Sequence, residues 1–286
     1  MISPTERPFA AMLRKSKASG RFFEWQTESL ASAANNAQIE GDDVTSFTAI
    51  TPTTRWGNYT QISTKNFVIS DTEEVVDKAG RKSEIARQKL NKTKEILRDQ
   101  EVALVQNTTN NAGALGTARQ TRGLAGWITQ GSVGAGAGVF PVPSTNTAPV
   151  AGTVRAFTEA LLKDAQQKAW TAGGSPTTAL MRATDKQIAS AFGGNVTRFN
   201  KVETEKLVAT YDIYVGDFGE LKIVPSRFID AAVYLIDPEH VELKVLRPLE
   251  SKPLAKTGDA EKMLLTYEYG LQMSNKDAHA QIRDLT

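Results

Sequence analysis

The chain contains two histidines, His240 and His279, and no cysteine. Thiolate metal sites and disulfides are therefore excluded, and nothing local gives the histidines the ligand spacing of a zinc site. His240 falls in a turn, Asp237-Pro238-Glu239-His240, and His279 lies near the C-terminal end. No Gly-x-Ser-x-Gly elbow, Walker loop or His-Glu-x-x-His helix is present. Gly134, Gly136 and Gly138 outline a phosphate cradle but lack the third glycine spacing, a preceding strand and a following helix. Acid pairs such as Asp42-Asp43 and Glu73-Glu74 are of a kind common on surfaces. The expectation is a protein that is not an enzyme, with no catalytic residue, no cofactor and no bound metal.

One chemistry remains, the neutralisation of a polyanion. Lys78, Arg81, Lys82, Arg87, Lys89, Lys92, Lys94 and Arg98 follow one another, opposed in that interval by Glu84 and Glu95 alone. A second cluster is Arg14-Lys15-Ser16-Lys17. A cation close to a phosphate releases counterions and so contributes affinity. The plain alternative is a solvated helix face. The net charge is +2, so attraction to nucleic acid has to come from such local patches.

The elements that carry these residues are legible in part. Ser70-Asp71-Thr72-Glu73 fits a capping box. Gly80 predicts a kink or restart, and from Ser83 nothing breaks a helix until the polar run 107–111. Val76, Ala79, Ala86, Leu90, Leu97 and Leu104, widened by Ile85 and Ile96, form its apolar stripe. Upstream, residues 44–50 and 56–69 are rich in Thr and β-branched residues around the turn 51–54, where Pro52 fixes φ and cannot donate to a ladder. They predict a hairpin that lies either on its own sheet or on a neighbouring molecule, since a long two-stranded ribbon is marginal alone in water.

Residues 1–36 read as an extended arm with a short helix, anchored by Phe22, Phe23, Trp25 and Leu30. Residues 110–152 are dense in Gly, Ala, Ser, Thr and Pro and read as a long loop that buries little, tethered by Trp127 and Ile128. A helix is predicted over 153–170, stopped by Gly173-Gly174, and a short one capped by Thr184 and ended by Gly193-Gly194. Strand character returns over 206–217, 221–224, 231–236, 241–246 and 263–273. The fold class is α+β. No apolar run approaches the ~20 residues needed to span a bilayer, so no membrane partner is expected. Residues 1–20 lack the apolar core of a secretory signal.

Several motifs, in order, resemble the major capsid proteins of tailed bacteriophages of the SU10-like group. They are Glu40-Gly41, Thr54-Arg55, Asn58-Tyr59-Thr60-Gln61-Ile62, Asp77-Lys78-Ala79-Gly80-Arg81-Lys82-Ser83-Glu84 and Arg98-Asp99-Gln100-Glu101. Trp170 with Gly173-Gly174, the run 254–262, Tyr267-Glu268-Tyr269-Gly270-Leu271, Asn275 and Ala278-His279 continue the likeness. The resemblance implies an HK97-like capsid fold. It divides the chain into an N-terminal arm (1–38), an extended loop that crosses an adjacent subunit (39–70), and a peripheral domain with a long spine helix and the Gly-rich loop (71–152). An axial domain (153–219) and return strands of the peripheral domain (220–286) complete it. Phe47, Arg55, Trp56, Tyr59 and Lys65 would make intersubunit contacts, and Arg14, Lys15, Lys17, Arg87, Lys89, Lys92 and Lys94 would face DNA.

The function implied is self-assembly, through pentamers and hexamers, into an icosahedral head around packaged double-stranded DNA. An encapsulin-type nanocompartment shell is the alternative. No long coiled segment precedes the arm, so a separate scaffolding protein is implied, with a portal protein and, as further partners, decoration or cement proteins. Assembly would take place in the host bacterial cytoplasm.

Overall fold

The computed structural model describes residues 6–41, 43, 47–76, 83–192 and 213–286. Chain order runs α1 (Pro8–Met12), β1 (Arg14–Lys17), β2 (Phe22–Thr27), β3 (Thr54–Tyr59), β4 (Gln61–Ser70), α2 (Asp71–Val75), α3 (Glu84–Gln106), α4 (Leu124–Trp127) and β5 (Gly131–Ser132). It continues α5 (Glu159–Thr171), β6 (Thr178–Met181), α6 (Ala183–Ala189), β7 (Ile213–Gly216), β8 (Gly219–Pro225), β9 (Ala232–Ile236), β10 (Val241–Pro253), β11 (Ala260–Met273) and β12 (Ala280–Arg283). Three sheets result: β1-β10-β11-β4, β5-β12-β9-β6-β8-β7, and the two-stranded ribbon β2-β3.

Two cores fill the body. The first gathers Ile96 and Leu104 of α3 with Phe9, Trp127, Tyr269 and Leu271, and the second gathers Leu162 of α5 with Met181, Tyr214 and Ile282. Strand β9 separates them. All five of its residues are buried. Tyr234 and Ile236 point into the first core, Val233 and Leu235 into the second, as the two-residue period of a strand requires.

The long helix α3 runs as its capping signals dictate. Ser83 is the N-cap, its hydroxyl accepting from the Ala86 amide at 3.2 Å, and Asn107 is the C-cap. The Glu74 carboxylate accepts from the Glu84 amide at 2.9 Å, placing a negative charge at the positive end of the helix dipole. Twenty-three residues extend about 34 Å. The stripe is half right. Ile96 and Leu104 are fully buried and Leu97 partly so, but Leu90 is 55% exposed and Val76 also faces solvent. Among the described residues α3 enters the core from Ile96 onward, and Leu90 lies on the turns before it. Ser70 caps α2 in position without a side-chain hydrogen bond, so the expected capping box does not form. Gly80, Ala79, Lys78, Arg81 and Lys82 lie outside the described residues, as do Gly193, Gly194, residues 44–46 and the first part, 206–212, of the strand expected over 206–217, whose remainder is β7.

Other differences have local causes. Helix α5 starts at Glu159 rather than 153 because the Thr158 hydroxyl caps it, while Arg155 pairs in extended form with Leu285. Its end is as expected: the Gly174 amide donates to Ala169 and the Gly173 amide to Trp170, the Schellman pattern. Arg182, not Thr184, is the N-cap of α6. The Gly-rich segment buries far more than its composition implies, since 121–128 are all buried. Its glycines permit backbone-to-backbone packing. A Cβ on Gly138 or Gly152 would collide with the Gly134 carbonyl oxygen.

Candidate functional site: the ribbon and its base

The expected hairpin exists with a different partner. Strand β3 pairs antiparallel with β2, Phe22 opposite Tyr59 and Thr27 opposite Thr54, while β4 belongs to the main sheet against β11. Between β2 and β3 the described residues, 28–41, 43 and 47–53, form no strand. The first leg is therefore Phe22–Thr27, not 44–50, and a boundary at 38/39 cuts through the ribbon's own loop. Thr and β-branched content favours 44–50, but aromatic packing decides the pairing.

That packing fixes the inner half of the ribbon to the body. Trp25 and Trp56 face each other across the strands and both contact Trp127, at centroid distances of 5.3 and 6.1 Å. The Trp56 indole N–H donates to the Thr27 hydroxyl at 3.1 Å. Phe22 lies against Tyr59 at 4.6 Å. Phe23 rests on Gly270 of β11, where a Cβ would stand 2.6 Å from its ring.

At the base, polar groups lock the direction in which the ribbon leaves. Asn58 is wholly buried. The two N–H groups of its amide are shared among the Leu271 carbonyl (2.7 Å), the Arg122 carbonyl (3.0 Å) and the Thr121 hydroxyl (3.1 Å). Its carbonyl oxygen accepts from the Arg122 and Tyr59 amides at 3.0 and 2.9 Å. Two residues on, the Thr60 hydroxyl donates to the buried Glu268 carboxylate at 2.8 Å. Glu268 also receives Arg247 Nε at 2.7 Å and Arg119, whose own Nε donates to the Thr60 carbonyl at 2.6 Å. Breaking one partner of such a buried, fully paired cluster leaves an uncompensated charge.

The outer half is different. Leu30 (94%), Ile39 (80%), Phe47 (88%) and Ile50 (91%) stand in solvent. Four large apolar side chains are thus exposed on one loop, beyond a base that is held firmly.

The expected contact residues divide accordingly. Phe47 and Arg55 face outward, Arg55 with Glu24 at 3.9 Å. Trp56 and Tyr59 pack within their own chain. Lys65 is bound to Asp99 of α3 at 2.6 Å, a clamp between β4 and the helix. Asn58, Thr60 and Glu268 stand in the motifs quoted above, but nothing in the sequence gives them a joint role, and Arg119 and Arg247 were not singled out; the one signal for Arg119 is that it and Arg122 are the two charges in an otherwise neutral run.

The basic candidates do not form one surface. At 100° per residue Arg87, Lys94 and Arg98 fall within about 40° of one another, whereas Lys89 and Lys92 lie roughly 160° and 140° from Arg87. Arg87 pairs with Glu84, and Lys92 with Glu95 at 2.9 Å. Lys89 and Lys94 are exposed. Arg14 meets Glu242 at 3.2 Å, and Lys15 and Lys17 are exposed on β1.

No cluster of metal-ligating side chains occurs among the described residues. His279 is buried, its Nδ1 accepting from the Asp237 amide at 3.1 Å, and desolvation pushes its pKa down to about 3, so it is neutral. His240 ends the turn Pro238–His240, which Asp237 caps, and its Nε2 lies 3.7 Å from the Asp237 carboxylate.

A body of two sheets, a long helix packed on the first of them and a projecting ribbon with an uncovered tip together define the HK97-like shell-building fold. The cyanophage A-1(L) capsid protein shares it at a TM-score of 0.68 and 16% identity, over 98% of this chain and 93% of that one. So does the SrpI encapsulin of Synechococcus elongatus PCC 7942, at 0.60 and 10%, over 98% and 87%. The fold alone thus serves phage heads and encapsulins alike. The chain belongs to the SU10 major capsid protein family, whose profile matches residues 1–286. It is 28% identical to the major capsid protein of Escherichia phage Phieco32 over 313 aligned positions, 96% of this chain and 89% of that one. It is a tailed-phage major capsid protein, a structural and not an enzymatic one, and its copies self-assemble into the virion shell.

Proposed function

We propose that the β2-β3 ribbon lies across an adjacent subunit, and that this contact closes pentamers and hexamers into an icosahedral head around double-stranded DNA. The observation that carries the reading is the contrast within the ribbon: a base locked by Asn58 and Glu268, and a tip with four bare apolar side chains. A preorganised base lowers the entropy lost when the tip docks. In the terms of this fold, residues 1–21, ahead of the ribbon, serve as the arm, α3 as the spine of a peripheral domain with 220–286, and 153–219 as the axial domain. Arg87, Lys94 and Arg98 would form the strip turned toward DNA, with Lys15 and Lys17 as a second patch. A separate scaffolding protein and a portal complete assembly in the host cytoplasm.

Replacing residues 30–50 by a short Gly-Ser linker removes the tip and spares both strands. The expected outcome is a soluble subunit with unchanged melting that forms no closed shells by sedimentation and electron microscopy. Normal particles from this variant would refute the assignment.

A further inference from the structure

Residues 107–154 contain two charged side chains, Arg119 and Arg122, where the chain's overall 23% would place about eleven. Both point inward. Arg119 is engaged by Glu268 and Thr60, and its side chain is 16% exposed. Arg122 is buried over the Trp127 ring and donates to the Pro143 carbonyl and Asn146 Oδ1 at 3.0 and 2.6 Å. The outer surface of this segment therefore carries no charge, on a protein whose remaining surface is rich in it.

The segment is also built, not slack. One hairpin is closed by the Asn111–Gln120 and Ala114–Thr117 bridges, with Gly116 at φ +82° supplying the left-handed turn position. A second is closed by Val139–Val150 and Val142–Thr147. Asn110 and Asn146 lace the two together, the Asn110 amide donating to Asn146 Oδ1 (3.0 Å) and Asn146 Nδ2 donating to the Asn110 carbonyl (2.8 Å). The result is a firm corner with bare aliphatic side chains: Leu115 at the first tip, 106% exposed, and Val139, Val142 and Val150 on the second hairpin, with Val154 following.

The shell-building reading supplies many copies related by rotation, and on that reading this inference rests. Close to a rotation axis each side chain meets its own copies, so any charge meets the same charge. A neutral, aliphatic, preformed surface suits that position. It suits DNA poorly, having no cation to offer a phosphate. We infer that this uncharged corner is where copies of the chain meet themselves about a rotation axis of the shell, with Leu115 at the contact.

The test places charge at the tip. Leu115→Lys and Leu115→Glu are each produced alone and then together in one cell, with the unaltered chain as reference. Leu115 makes no packing contact to lose, so subunit melting should match the reference. Each variant alone is expected to lower particle yield at least about tenfold, as like charges meet, and the mixture should raise it again as opposite charges meet in place of like ones. Val150→Lys with Val150→Glu repeats the design on the second hairpin, and rescue at either position supports the inference. Single variants that assemble like the reference overturn it. Failure of both mixtures to recover also overturns it, by assigning the corner to a different surface or to another protein. A reference chain that gives no particles would instead count against the shell reading itself.

Discussion

At the scale of single residues, the important side chains are those that decide how the ribbon leaves the body. Asn58 has both its amide N–H groups and its carbonyl oxygen engaged, with no access to solvent. Its replacement by Ala takes a partner from two backbone carbonyls and two backbone amides, while the Thr121 hydroxyl keeps the Leu271 amide, and each unsatisfied buried group costs about 1–3 kcal/mol. The expected loss for Asn58→Ala is about 3 kcal/mol after relaxation, read by denaturation of the isolated subunit, and a loss below about 1 kcal/mol would show that the base is not held as described. Little of this cluster is legible in the sequence. Arg119 and Glu268 are 149 positions apart, and no local pattern links them. The same holds for Lys65, whose partner Asp99 lies on another element; a basic residue on an exposed-looking strand gives no hint that it is already paired.

At the scale of elements, the decisive question is what covers each face of α3. Local signals were sufficient for the helix itself, because a serine cap and a polar run bound it on both sides. They were insufficient for its environment, since a 3.6-residue stripe records that a face is covered and not by which molecule. Leu104 lies in the core and Leu90 beyond it. Leu104→Ala should cost about 2–5 kcal/mol in the isolated subunit, and Leu90→Ala less than about 1 kcal/mol. Equal losses at both positions, measured by chemical denaturation, would contradict this packing. The ribbon teaches the complementary lesson. Its second leg and β4 were visible as β-rich sequence, but its first leg, six residues inside a stretch read as an arm, was not. More than two dozen residues separate the legs, and pairing over such a distance is set by which aromatic rings find Trp127.

At the scale of the whole molecule, the subunit is stable where it is closed and unfinished where it is open. Two cores share β9, and the ribbon base is fixed by buried polar groups. The ribbon tip, the first turns of α3 and the neutral corner of 107–154 present apolar side chains that the chain itself leaves bare. Fold class and family were readable in advance because ordered motifs span nearly the whole chain; a contact completed by another copy leaves no periodic trace within one. The central claim is that the ribbon is held by its own subunit at the base and covered by a neighbour at the tip. A cryo-electron microscopy map of the assembled particle tests it most directly. Each β2-β3 ribbon is predicted to lie across an adjacent subunit, with Leu30, Ile39, Phe47 and Ile50 buried there. Ribbons folded back on their own subunit, or tips left in solvent within a closed shell, would contradict it.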